Sequence, residues 1–220
     1  MTQAARTVEE RARLSLGRSQ QQIHHTVAAV LAARGARGLV ADVGCGAGDL
    51  WPLLRGRFDA CIGLDAVRYD GLPEEIDFRP IDFDSVRLPL ADASVDAAVA
   101  VEVIEHLENP RAFVRELARV VKPGGTVLVS TPNQLSALSL MTLVVKGQYA
   151  SFQANEYPAH RSALLEIDLR RIFGESGLRD LEVAFTCHGR LPLSGRHYPR
   201  GIARLAPRRC SDNIIVAGCR

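Results

Sequence analysis

This 220-residue chain has no apolar run long enough to cross a bilayer. The longest, Leu135 to Val145, covers 11 residues and is broken by Ser and Thr. The first residues lack the apolar core of a signal peptide, so a cytoplasmic protein is expected. Five cysteines (Cys45, Cys61, Cys187, Cys210 and Cys219) form no CxxC pair and no small disulfide framework, which fits a reducing compartment. Net charge is only +2, so the chain as a whole carries no sign of nucleic-acid binding. No internal repeat and no low-complexity linker interrupts it. With 47% apolar and 24% charged residues, disordered and collagen-like classes are excluded as well.

Charge is less even than the total. From His188 to Arg220 seven Arg face one Asp, a local +6 that leaves −4 elsewhere. Two readings are open: a solvated arginine-rich surface, or a patch facing an anionic or phosphorylated substrate.

Patterning places the elements. Thr7-Val-Glu-Glu10 has the form of a capping box. Ile23, Val27, Val30 and Leu31 keep the spacing of a buried helical stripe. Strands are expected over 39–43, 60–64, 76–81, 94–101, 126–130, 181–185 and 213–216. Helices are expected at 50–54, from Asn109-Pro110 to Lys122-Pro-Gly-Gly125, and around Leu165, Leu169, Ile172 and Phe173. This alternation predicts an α/β fold, a mostly parallel central sheet with helices on both faces. One domain is expected, in four stretches: a helical segment 1–37, a cofactor-binding core 38–133, an acceptor-site cover and helix 134–180, and C-terminal strands 181–220.

In such a sheet ligands bind at the carboxyl ends of the strands, where the strand order reverses. Gly44-x-Gly-x-Gly48 follows the first strand, and its glycines let backbone approach a ligand and offer N–H groups at a helix start. A tight turn without a ligand is the bland alternative. Asp42 precedes the loop, and Asp65 ends the next strand, where a carboxylate can accept two ribose hydroxyls. A dinucleotide fingerprint needs a third glycine where Asp49 stands, which counts against NAD.

From Leu39 to Asn133 the chain resembles the class I S-adenosylmethionine-dependent methyltransferases. The pieces are Val40-Ala-Asp-Val-Gly-Cys-Gly-Ala-Gly48, Gly63-Leu-Asp65, Ile81-Asp82-Phe83, Leu88-Pro-Leu-Ala-Asp-Ala-Ser-Val-Asp96, Val101-Glu-Val-Ile-Glu-His-Leu107 and Val121-Lys-Pro-Gly-Gly-Thr-Val-Leu-Val129. The resemblance implies a Rossmann-like fold and S-adenosyl-L-methionine as cofactor. Gly44, Gly46 and Gly48 would pack against its amino-acid part, with Cys45 as a small packing residue of the loop. Asp65 would hold the ribose, and Asp82 and Phe83 would contact the adenine, with Asp84 an alternative to Asp82. Asp42, Ala66 and Glu102 complete the implied cofactor set.

Glu102-Val-Ile-Glu105-His106 follows strand four, and a helical turn there would bring both carboxylates and the imidazole to one face. With His160 downstream, the arrangement looks like that of metal-assisted O-methyltransferases of ubiquinone biosynthesis and of small-RNA 3′ ends. It implies a magnesium or manganese site of Glu102, Glu105, His106 and His160. The alternatives are His106, with Glu105, as metal-free catalytic residues, and a purely structural pair. Leu135 to Val145 is expected as an amphipathic cover over the acceptor pocket. The expected reaction is methylation of a hydroxyl on a small-molecule metabolite. Behind it stand 2′-O-methylation of an RNA end and a non-catalytic cofactor-binding protein. The sequence leaves the oligomeric state open.

Overall fold

The computed structural model describes Gly17, residues 19–83 and residues 87–220. The capping box at Thr7–Glu10 lies outside the described residues. Seven strands form one sheet: β1 (Gly38–Val43), β2 (Phe58–Asp65), β3 (Ile76–Pro80), β4 (Val95–Val101), β5 (Val121–Pro132), β6 (Arg179–Phe185) and β7 (Asn213–Cys219). Their order is β3-β2-β1-β4-β5-β7-β6. The first five run parallel, and β7 inserts antiparallel between β5 and β6.

Sidedness follows from the two-residue period of a strand. Along β4, Val95, Ala98 and Ala100 enter one apolar layer, while Ala97, Val99 and Val101 enter the other. A strand buried on both faces reads as a continuous apolar run, and β4 does. Helix α1 (Gln21–Ala33) lays Ile23, Val27, Val30 and Leu31 on the second layer, the stripe its spacing predicts. It is joined there by the single turn α2 (Trp51–Leu54). Helices α3 (Pro110–Val120) and α5 (Glu166–Glu175) cover the first layer with Val114, Leu117, Leu169, Ile172 and Phe173. Asn109 caps α3 as expected, its side-chain oxygen accepting from the Ala112 N–H at 3.0 Å.

Two differences modify the expected layout. Helix α6 (Arg200–Leu205) was not anticipated. Strand β5 starts at Val121, directly at the end of α3, rather than at Thr126. Among the described residues, no helix is long and apolar enough to cross a membrane.

Helix α4 (Ala137–Lys146) corrects the expectation for Leu135 to Val145. Its buried side chains are Ser139 and Thr142, while Val144 and Val145 are exposed. The side facing the protein is therefore small and polar, and the run does not roof the central cavity.

Candidate active site

β1 and β4 are neighbours whose chain continuations diverge, β2 to one side and β5 to the other. The crevice beyond their carboxyl ends is where a doubly wound sheet binds ligands. A cavity of about 620 Å³ opens there, within the range for a small-molecule site.

The glycine loop forms one wall. Gly44 (φ +79°) and Gly46 (φ +53°) take left-handed backbone conformations, which favour glycine. A β-carbon on Gly44 would also collide with Val103, and one on Gly46 with the carbonyl of Gly17. The loop's N–H groups, however, are not offered to a ligand. Those of Gly44 and Cys45 donate to the Leu64 carbonyl, that of Gly46 to Asp65 Oδ2 at 2.8 Å, that of Ala47 to the Gly17 carbonyl and that of Gly48 to the Cys45 carbonyl. The following helix, α2, is a single turn. The glycines thus act here through shape and conformation, not as anion donors.

Carboxylates crowd this wall. Asp65 is buried, accepting from the Gly46 N–H and, through Oδ1, from the Ala66 N–H at 2.7 Å. Burial raises its pKa, and those amides oppose the rise. Asp42, also buried, is pushed up to about 7 by burial and then by the charge of Asp65. Burial pushes the Cys45 thiol far up as well, so it is an inert packing group. Phe83 lines the cavity half-buried. Asp82 does not; it is exposed and lines an adjoining pocket with Arg87 and Phe113. Asp84 lies outside the described residues. Gly48 and Ala66 stand behind the lining set, Ala66 serving through its amide to Asp65.

The opposite chemistry gathers beyond β4. Ile104–His106 form one 3-10 turn. The Glu105 carbonyl accepts from the N–H groups of Arg161 (2.8 Å) and Ser162 (3.0 Å), and the Leu107 carbonyl from Ser162 Oγ (2.9 Å). These bonds seat the segment 155–162 against the turn and deliver His160. One ligand atom each from Glu105, His106 and His160 then lies within 4.8 Å of the others. His106 Nδ1 meets the Ala159 carbonyl at 2.8 Å, and His160 Nδ1 meets the Ser151 carbonyl. A carbonyl only accepts, so in each neutral ring Nδ1 carries the proton and Nε2 the lone pair. That backbone support is typical of metal-binding imidazoles. Glu105 Oε2 accepts from Thr131 Oγ1 at 3.1 Å, while Oε1 is buried without a hydrogen-bond partner among the described residues. An orphaned buried oxygen beside two imidazoles fits a cation.

Glu102 is the correction to the expected four-residue site. It holds φ +55°, and its carboxylate is taken by Ser130 Oγ (2.8 Å) and Asn213 Nδ2 (2.7 Å), apart from the cluster of three. Burial, and then the charge of Glu105, hold its pKa well above the usual carboxylate range. Burial likewise raises that of Glu105.

Sequence reading missed several lining residues: Ser19, Gln20 and His24 of the N-terminal segment, Tyr69, and the wall 155–159. Asp49, noted only as a substitute for glycine, also faces the cavity. Polar Ser130, Thr131 and Asn213 at otherwise apolar strand ends were the available signal for the support of Glu102 and Glu105. Among the described lining residues six are carboxylates (Asp42, Asp49, Asp65, Glu102, Glu105, Glu156) and none is Lys or Arg. Three of the C-terminal arginines are engaged away from the cavity. Arg190 pairs with Asp212, Arg208 pairs with Glu166, and Arg209 donates to the Leu135 carbonyl.

The sheet order, the loop after β1 and the acid ending β2 define a Rossmann-like class I methyltransferase fold. Residues 16–183 match a family profile described as a methyltransferase domain. The chain belongs to this family, the class I S-adenosylmethionine-dependent methyltransferases. It is 39% identical over 116 residues to a probable S-adenosylmethionine-dependent methyltransferase of Mycolicibacterium smegmatis, covering 51% of this chain and 45% of that one. With a ubiquinone biosynthesis O-methyltransferase of Idiomarina loihiensis it shares 28% identity over 152 residues, 66% of this chain and 63% of the relative. The matches thus span less than two thirds of these relatives' length. A methyltransferase structure from Archaeoglobus fulgidus superimposes with a TM-score of 0.61 at 17% identity, over 90% of this chain and 94% of that one.

The cavity fits the family's cofactor. Its volume accommodates a nucleoside with an amino-acid arm, its acidic lining suits a sulfonium charge, and Phe83 and Asp65 offer a ring face and a carboxylate.

Proposed function

We propose that this protein transfers the methyl group of S-adenosylmethionine to a hydroxyl of an uncharged small molecule, with a divalent cation held by Glu105, His106 and His160. The observation that carries this reading is the clustering of those three ligand atoms in the same cavity as the glycine loop and Asp65. A name carried by relatives, ubiquinone biosynthesis O-methyltransferase, supports hydroxyl as the acceptor. The absence of Lys and Arg from the described lining favours an uncharged acceptor over the end of an RNA, whose phosphates need counter-charge.

S-adenosylmethionine brings a methyl group already activated, and a divalent cation lowers the pKa of a hydroxyl beside it. The chain's part is then placement. Asp65 and Phe83 fix the nucleoside. Glu105 offers Oε1, and the carbonyls of Ala159 and Ser151 aim Nε2 of His106 and His160. The wall 155–160 limits water on the acceptor side.

The test follows formation of S-adenosylhomocysteine with a panel of catechols and vicinal diols, after exhaustive chelation and after adding back magnesium or manganese. Wild type should lose activity in chelator and regain it with metal, whereas His160→Ala should not regain it. Full activity in chelator, abolished by His106→Ala, would remove the cation and leave Nε2 of His106 as general base. No product from any hydroxyl acceptor would end the O-methylation reading.

A further inference from the structure

We infer that the connection 188–209, between β6 and β7, is a docking surface for an anionic lipid bilayer. The inference does not depend on which acceptor is methylated. It gives a use to the arginine-rich stretch that the active site leaves aside.

The connection carries six Arg and no Asp or Glu. Protein groups engage Arg190, Arg208 and Arg209. Arg196, Arg200 and Arg204 are exposed and make no ion pair among the described residues. Apolar side chains are interleaved with them. Leu193 tops a turn closed by the Leu191 N–H, which donates to the Arg196 carbonyl at 2.8 Å, and it is 93% exposed. Helix α6 follows and buries only Ala203. Ile202 and Leu205, three residues apart and so on one side of that helix, are 52% and 88% exposed. Three of the eight large apolar side chains exposed among the described residues thus fall within 193–205.

A single exposed leucine is ordinary on a protein surface. Aliphatic groups set among unpaired guanidiniums are what a peripheral membrane segment presents. The aliphatics enter the acyl boundary, and the cations meet lipid phosphates. Arg suits that role, since its planar fork holds phosphate oxygens with two parallel hydrogen bonds. A single-stranded nucleic acid would instead call for aromatic faces on which bases stack. The connection offers few of these: Tyr198 is half-buried, and the rings of His188 and His197 stack on each other at 3.9 Å. Because β7 runs antiparallel to both β5 and β6, the connection leaves and re-enters the sheet at the edge where the cavity opens. A docked bilayer would therefore lie at the cavity's edge of the sheet and not at the opposite one.

The test is co-sedimentation of the full chain with vesicles of phosphatidylcholine, alone or mixed with phosphatidylglycerol. Wild type should bind the anionic vesicles only, and more weakly as salt rises. Each Arg near such a surface is worth about five-fold in partition, so the triple variant Arg196→Gln, Arg200→Gln, Arg204→Gln should bind about a hundred-fold more weakly. The double variant Leu193→Ser, Leu205→Ser should lose about ten-fold or more. Neutralising three exposed arginines elsewhere, with Arg55→Gln, Arg57→Gln and Arg115→Gln, should cost far less. All the substituted side chains are exposed, so circular dichroism should match wild type in every variant. No wild-type binding to anionic vesicles, or equal losses in the two arginine triples, would overturn the surface. Wild-type affinity in the leucine double variant, or tighter binding to single-stranded RNA than to vesicles, would overturn the bilayer as its occupant. Self-association abolished by the leucine double variant would assign the face to a second copy of the chain instead.

Discussion

The two ends of the cavity are built differently. The cofactor side comes from consecutive chain: β1, the loop 44–48, α2 and β2 lie within 28 residues, and parallel pairing of β1 with β2 brings Asp65 to the loop. The acceptor side joins the turn 104–106 to a segment some 50 residues later, through backbone bonds to Glu105 and through His106 to Ala159. A locally encoded site can be read as a motif. A site closed by distant hydrogen bonds leaves in the sequence only isolated Glu and His.

The largest contrast lies with Asp42. Its folded pKa near 7 stands above the usual carboxylate value, so the unfolded chain loses that proton first as pH rises. The associated stability is intact below about pH 4 and is lost as pH climbs to about 7. Asp42→Asn carries no such loss. Denaturant unfolding should show its advantage over wild type growing by a few kcal/mol between pH 4 and pH 8. A constant offset across that range would mean that Asp42 is not held protonated.

Next comes Asp65→Ala, which removes the acceptor of the Gly46 and Ala66 amides and the expected partner of the ribose. Loss of hydrogen bonds to a charged group costs about 1.5–3 kcal/mol, a ten- to hundred-fold weaker Kd for S-adenosylhomocysteine. An unaltered Kd would show that the acid ending β2 serves the loop alone.

The smallest effect belongs to the acceptor side. Arg161 pairs with Glu108 at 2.6 Å, but the Glu108 side chain is 78% exposed. Such pairs are worth about 0.2–1 kcal/mol. Arg161→Ala should therefore shift unfolding by no more than that and leave cofactor affinity untouched, since the Arg161 and Ser162 amides still reach the Glu105 carbonyl. A loss of several kcal/mol would place the anchoring in the ion pair instead.

The fold was legible because it rests on short-range signals. A continuous apolar run marks β4, the spacing of Ile23, Val27, Val30 and Leu31 marks α1, and Asn109-Pro110 starts α3. The apolar run Leu135 to Val145 misled for a physical reason: its apolar count is high, but the side it buries carries Ser139 and Thr142. Composition does not say which side of a helix meets the protein.

For the site, sequence alone determined which residue types follow β1, β2 and β4, because the strand–turn order itself places them at one edge of the sheet. Tertiary structure decided how they are used. It turned the loop's amides inward to Leu64 and Asp65, tied Glu102 to Ser130 and Asn213, grouped Glu105 with His106 and His160, and brought His24 into the cavity wall. Each of these depends on bonds or packing between elements far apart in the chain. A motif fixes which groups are present, but their partners are fixed only when the sheet and its helices close around them.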